Sequence, residues 1–257
     1  MRILFFLNLG LLACFQASLA AEPAAPNTLT DAETSAGWRL LWDGKSSDGW
    51  RTPQSERFPV KGWEMTNGVL TVLPSSGGES GGGGDIITKQ RFSNFELVVD
   101  FKIIEGANSG IKYFVQPNIS PIDKAGKPTA GGSAIGPEYQ LLDDLRHPDA
   151  KLGRDGNRTL GSLYDLIPAS TNKHPNPIGE WNTARIVVTG KHVEHWLNGE
   201  KILEYDRGSE KFRKLVAESK FKNIPDFVEW TDGYILLQDH GNRVSFRNVK
   251  IRVLAAN

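Results

Sequence analysis

The stretch "TARIVVTGKHVEHWLNGEKILEYD", residues 183–206, decides the fold. It runs with period two, and Thr189-Gly190-Lys191 and Asn198-Gly199 break it as two tight turns, which predicts three strands joined by hairpins. The same pattern extends outward in both directions. "FELVVDFKII", 95–104, places Phe95, Leu97, Val99, Phe101 and Ile103 on one side of a strand. "WRLLWDG" and "WEMTNGVLTVL" come earlier, the second with an Asn67-Gly68 hairpin signal, and "SGIKYFVQP", "PEYQLLDD" and "GYILLQDHGNRVSFRNVKIRVL" continue the theme. Only "SEKFRKLVAESKFK", 209–222, has helical spacing, with Phe212, Leu215, Val216 and Phe221 near one stripe. Many short strands, hairpins and no βαβ alternation predict an all-β fold. The expected form is a two-sheet jelly-roll β-sandwich with one concave sheet and one short helix over 209–222.

The chain has 257 residues, with 30 Lys and Arg against 30 Asp and Glu. That length fits one sizeable domain, placed at 37–257. Zero net charge argues against nucleic acid or an anionic membrane as the main partner. Seven Trp lean toward carbohydrate, because the indole stacks on sugar rings.

Residues 1–20, "MRILFFLNLGLLACFQASLA", read as a secretory signal: Arg2, an apolar run from Ile3 to Phe15, and Ser18-Leu19-Ala20 before the cut. The run is too short to span a membrane comfortably. Export to a bacterial periplasm or cell surface is expected. Cleavage after Ala20 is the favoured reading, and a lipid anchor at Cys14, in the imperfect lipobox "LLAC", is the alternative. Cleavage after Ala20 leaves no cysteine, so stability must come from the core rather than from disulfides. Residues 21–36 read as a linker.

Two segments interrupt the strand pattern. "PSSGGESGGGGD", 74–85, is glycine-rich but lacks the Gly-Lys-Ser/Thr and following helix of a phosphate cradle, so it reads as a flexible connection or a lid. Residues 145–180 form a long Pro-, Asn-, His- and Gly-rich loop, whose "TLGSLYDLIP" should pack down. Loops of that length tend to be functional.

Polar side chains within the strands are the candidates for chemistry. Lys112 lies opposite Ile111 and Tyr113; Glu138 and Gln140 share a side; Gln238 and His240 share a side; Arg247 lies opposite Phe246 and Asn248; His195 sits between Glu194 and Trp196. Singly, each has an ordinary structural role: a core histidine, a Glu138–Arg247 pair across the sheet, a solvated edge lysine. Together they make a polar, mixed-charge face that calls for a ligand or ordered water. There is no HExxH, no Cys/His cluster and no GxSxG elbow, and the one thiol lies in the leader. No cofactor is expected. A divalent cation such as calcium, held by Asp143, Asp144, His147 and Asp149, is the exception kept open.

"ANSGIKYF", "GPEYQLLDD..H", "GSLYDL", "GEWNTARIV", "HVEHWLNG" and "YILLQDHG..VSFRNVKIR" together resemble the 3-keto-disaccharide hydrolase family, formerly domain of unknown function 1080, over roughly Trp38 to Leu254. The resemblance implies a concanavalin-like jelly roll acting on 3-keto-glycosides. A C3 ketone acidifies the C2 hydrogen, so a base forms an enediolate, the C1 substituent leaves by elimination, and water then adds to the glucal. On this reading Glu138 and His240 are the acid–base pair, in either order. Lys112 and Arg247 hold the C3 oxygen, and Asn108, Gln140 and Gln238 orient hydroxyls, with Tyr164 and His195 as further substrate contacts. Lys112 stands where the family often carries Arg, and the insert "PNISPIDKAGKPTAGGSA", 117–134, precedes the Glu138 strand. Two alternatives stay open. One is a non-catalytic carbohydrate-binding module; the other is a conventional glycoside hydrolase using Glu138 with Asp143, Asp165 or Asp239.

Overall fold

The computed structural model describes residues 25–75, 80–120, 127 and 133–255. The leader with Cys14, the start of the linker and most of the insert lie outside the described residues. Strands β1 (Trp38–Leu40), β3 (Trp63–Thr66), β4 (Val69–Val72), β6 (Phe95–Ile103), β9 (Asn182–Thr189), β10 (His192–Leu197), β11 (Glu200–Asp206) and β13 (Val244–Val253) form one sheet. Its order is β11-β10-β9-β6-β13-β4-β3, with β1 also pairing β13. Strands β2 (Trp50–Arg51), β5 (Ile86–Thr88), β7 (Asn108–Val115), β8 (Glu138–Leu142) and β12 (Tyr234–Leu237) form a five-stranded sheet in the order β2-β5-β12-β7-β8. The chain is the two-sheet jelly-roll sandwich that its periodicity predicts.

Local chemistry sets the hairpins. Asn67 and Gly68 (φ 52° and 71°) and Asn198 and Gly199 (φ 49° and 86°) take the paired positive-φ conformation of a two-residue turn that matches strand twist. In β6 the expected side, Phe95 to Ile103 in steps of two, is buried throughout, while Val98, Asp100 and Lys102 are half-buried. Strands β7 and β8 behave differently: every residue is buried. Ile111, Tyr113, Tyr139 and Leu141 face the sandwich core, and Ile87, Val115, Ala134 and Leu236 form a separate small cluster.

The helical segment is shorter than 209–222. Helix α2 runs Glu210–Ala217, started by the Ser209 hydroxyl accepting the Phe212 N–H at 3.2 Å. Beyond it, Ser219 Oγ accepts the Phe221 N–H at 3.0 Å and donates to Val216 O at 2.8 Å, and these turn bonds replace the helical ladder. The linker reading fails over 25–36. Helix α1 (Asp31–Ser35) carries a Thr30–Glu33 capping box, and Asn27 exchanges two hydrogen bonds with Asn248, at 2.6 and 2.8 Å. Asn248, at φ 50°, marks the irregularity where β13 slips register between Arg247 and Lys250.

His195 is part of the core and not a substrate contact. It lies on β10 between the sheets, fully buried, with Nδ1–H donating to Gly161 O at 3.0 Å and Nε2 accepting from Tyr113 Oη at 2.8 Å. Tyr205 Oη continues the chain at 2.7 Å, and the Tyr139 ring lies 4.8 Å away. Burial pushes the imidazole down to about 4 from its ordinary 6.5.

The group is therefore neutral when folded, and the unfolded chain takes up its proton first as pH falls. Its contribution is whole above pH 6.5 and is lost on acidification toward pH 4. Measured against His195→Gln, the wild-type advantage in unfolding free energy should shrink by about 3 kcal/mol between pH 7 and pH 4. Urea titrations of both proteins check this, and a constant difference would refute it.

Candidate active site

The covered outer face of the five-stranded sheet is the one that matters chemically. Register pairs Asn108 with Leu142, Gly110 with Gln140, and Lys112 with Glu138, and alternation turns these positions away from the core. Gln238 and His240 follow β12 directly, where the Gln238 N–H donates to Gly110 O at 3.0 Å. Asn108, Glu138, Gln140, Gln238 and His240, with Tyr164 and Lys220, line a recess of about 50 Å³. Six of these seven are sequence candidates. Lys220 is the one that sequence reasoning missed.

Tyr164 arrives through the long loop. Its N–H donates to Glu138 O at 3.0 Å, the Gly161 N–H to Gln140 O at 2.8 Å, and Ser162 O accepts from the Gln140 N–H at 3.1 Å. Residues 161–164 thus cover the free edge of β8 as a short extra strand would. Leu160, Leu163 and Leu166 anchor the segment in the core, as its apolar residues predict. The Tyr164 hydroxyl donates to Asp149 Oδ2 at 2.8 Å, and burial first, then that hydrogen bond, pushes the phenol well above its ordinary value. Lys220 Nζ stands 4.2 Å from the centre of the Tyr164 ring.

Glu138 lies flat across Gly110, where any Cβ would collide with its carboxylate. Its Oε2 is 3.7 Å from Lys112 Nζ, and both side chains are buried. Lys112 is therefore neither a solvated edge charge nor part of the recess lining. It sits behind Glu138 and donates to Ser133 Oγ at 2.5 Å, and Ser133 in turn bonds Asp85. His240 Nε2 is 3.4 Å from Asn108 Nδ2, and its ring meets His147 edge-on with centres 6.2 Å apart. Burial, then the nearby His240, holds the His147 imidazole below its ordinary value. Asn108 Oδ1 and Gln140 Oε1 are buried and accept no hydrogen bond among the described residues. Such atoms are costly unless something else donates to them.

The structure overturns the expected placement of Arg247. Arg247 lies on β13 in the other sheet, 3.4 Å from Asp100 Oδ2 and stacked 4.2 Å from the Trp181 ring, so it neither pairs with Glu138 nor reaches the recess. The residues proposed for calcium are engaged by protein groups. Asp143 accepts from Gly106 and Leu145 N–H and pairs with Arg146; Asp144 takes Lys173 and the Leu160 N–H; Asp149 takes Arg158 and Tyr164. Asp165 holds Arg158 and the Lys220 N–H, and Asp239 lies buried beneath the glycine-rich loop, so Glu138 is the one carboxylate lining the recess among the described residues. Among the described residues, only His192, Glu194 and Glu204 converge closely enough to hold a metal, and Lys201 Nζ already bonds both glutamates, at 3.2 and 2.5 Å. No Trp lines the recess. Trp42, Trp50 and Trp63 are core, and Trp38, Trp181 and Trp196 carry Lys or Arg over their rings.

Comparison with known proteins agrees with this architecture. Residues 37–252 match the model of the 3-keto-alpha-glucoside-1,2-lyase-like domain. The chain is 40% identical over 248 residues to a 3-keto-disaccharide hydrolase of Bacteroides thetaiotaomicron, covering 91% of this chain and 83% of the relative. A crystal structure from Parabacteroides distasonis, assigned as a glycosyl hydrolase, superposes with a TM-score of 0.73 at 34% identity, over 90% of this chain and all of that one. A galectin-like Bacillus subtilis protein shares the fold alone, with a TM-score of 0.50 at 14% identity over 86% of this chain and 96% of that one. This β-sandwich is a carbohydrate-active protein of the glycosidic hydrolase type and belongs to the 3-keto-alpha-glucoside-1,2-lyase-like family.

Proposed function

We propose that the chain is an exported enzyme that cleaves 3-keto-glycosides by elimination and hydration across C1–C2. One observation carries the reading. Among the described residues the recess presents a single carboxylate, an imidazole, a lysine and two buried amide oxygens that accept no hydrogen bond, which is a set suited to the hydroxyls of an activated sugar. Export rests on the leader at 1–20.

Glu138, the carboxylate at the recess with Lys112 3.7 Å behind it, is the base. It takes the C2 proton, and the C–H electron pair moves into a C2=C3 enolate with negative charge on the C3 oxygen. Lys220, as the cation bordering the recess, replaces Lys112 and Arg247 as the partner of that oxygen. The enolate then collapses: the C3 carbonyl returns, C1=C2 forms and the C1–O bond breaks. The departing oxygen takes a proton from His240. Addition of water to C1 and return of a proton to C2 release the free 3-keto sugar, so the sum is hydrolysis.

Glu138→Gln should lower kcat by roughly 10²–10⁴-fold, the usual worth of a positioned general base. Incubating the wild type with a 3-keto-glucoside and its parent glucoside in deuterated water should give turnover of the keto sugar only, with deuterium at C2. Cleavage of the parent glucoside, or turnover with no exchange, would refute the mechanism. Gly110→Ala should leave the core intact but displace the Glu138 carboxylate, lowering kcat by about 10²-fold, as misplacement of a catalytic group by about 1 Å does. Steady-state kinetics of a variant with wild-type Tm would check it. For Lys220→Ala the expected loss in kcat is about 10²–10³-fold, with partial recovery in Lys220→Arg.

A further inference from the structure

His240 emerges from the end of β12 on a segment that no strand ladder continues, so its placement depends on its neighbours. Asp239 is fully buried, on the opposite side of the chain from the recess. Its Oδ2 accepts from three successive amides of the glycine-rich loop, Gly82 at 3.1 Å, Gly83 at 2.8 Å and Gly84 at 2.9 Å. Its Oδ1 accepts from the Gly241 N–H at 2.9 Å, its own N–H donates to Asp85 Oδ1 at 3.0 Å, and its carbonyl accepts from the Ser80 N–H at 2.6 Å. Four amide dipoles therefore face this buried carboxylate, a cradle of the kind that successive backbone N–H groups form around an anion.

The glycines are needed for the approach. A Cβ at Gly82 would stand 2.9 Å from Asp239 Oδ2, and one at Gly83 would strike Lys61 O and come within 3.1 Å of the Trp63 ring. Asp85 links this clamp to the other side of the recess, because it bonds Ser133, which accepts from Lys112 behind Glu138. Residues 80–85 of the glycine-rich stretch are thus more than a plain connection. They are the counterpart of a carboxylate wedged between Gln238 and His240.

We propose that Asp239 is the positioning residue of the site: gripped by the 82–84 amides, it fixes the 238–240 segment and so places the His240 ring and the Gln238 amide over the recess. It acts through its neighbours and does not touch substrate. A purely structural clamp would change stability alone. A positioning residue changes the rate of the proton-transfer steps in protein that remains folded, while binding, held mainly by Asn108, Glu138 and Gln140, changes little.

Two variants approach the clamp from opposite sides. Asp239→Asn keeps the shape but turns a neutral amide toward four donors; Gly82→Ala presses on the same carboxylate from the loop. Each should lower kcat on a 3-keto-glucoside about 10–100-fold with KM within about threefold. In each, the His240 ring resonances, identified by their absence from His240→Ala, should move at fixed pH in NMR spectra of the full chain. Unchanged kcat per folded molecule, or unmoved His240 resonances with only a lower Tm, would overturn the proposal. If Asp239→Asn does not fold, Gly82→Ala decides alone. The kinetic arm rests on the proposed activity. A wild type that turns over no keto sugar would sink that activity, and the His240 resonances would still decide the role of Asp239.

Discussion

Burial of both faces of β7 and β8 is the constraint on which the rest of the molecule depends. A sheet with one wet face can place polar groups there at no cost. Here the inner face packs on the eight-stranded sheet, residues 161–164 close the edge of β8, and Ala134 packs with Ile87, Val115 and Leu236 outside that core. Polar side chains buried on the outer face must find partners or a ligand. Lys112 and Glu138 find each other, and truncating either would remove a buried ion-pair partner from the other. The amide oxygens of Asn108 and Gln140 do not find protein donors among the described residues, and that difference separates site from scaffold.

The recess is assembled by backbone economy as much as by side chains. Gly110 lets Glu138 cross its neighbouring strand, and Gly82 and Gly83 let the loop close on Asp239. The long loop contributes Tyr164 by bonding along the edge of β8, which also removes an exposed strand edge. Each device couples stability to geometry: the contact that closes the sandwich is also the one that aims a side chain.

The fold was legible because alternation and Asn-Gly turns are local signals, and both act in the structure as they read in the sequence. Alternation also identified Glu138, Gln140 and Gln238 as facing away from the core. It could not say which sheet a strand joins. Arg247 alternates like the others, but β13 sits in the eight-stranded sheet, so its outward side faces Asp100 and Trp181. His195 alternates inward, and nothing local reveals that Tyr113 and Gly161 O would meet its two nitrogens. Lys220 was invisible for another reason: it lies past the end of α2 in irregular turns, where no period assigns a side. Asn27 was lost to composition, since an Ala-Pro lead-in reads as linker although Asn27 exchanges bonds with a residue 221 positions away and Glu33 pairs with Lys250.

The charge inventory of the recess bears on the choice among carbohydrate chemistries. Cleavage through an oxocarbenium ion uses two carboxyl groups flanking the bond, one to protonate and one to attack or to activate water. Asp143, Asp165 and Asp239 are each bound up in backbone amides or arginines, and Glu138 is the one carboxylate at the recess among the described residues. An elimination across C1–C2 asks for less: one base, one acid for the leaving oxygen, and a cation where the enolate charge grows. A ketone at C3 would make the C2 hydrogen acidic enough for one base to remove, so a recess with one carboxylate among the described residues fits the proposed 3-keto substrate better than it fits a two-carboxylate mechanism.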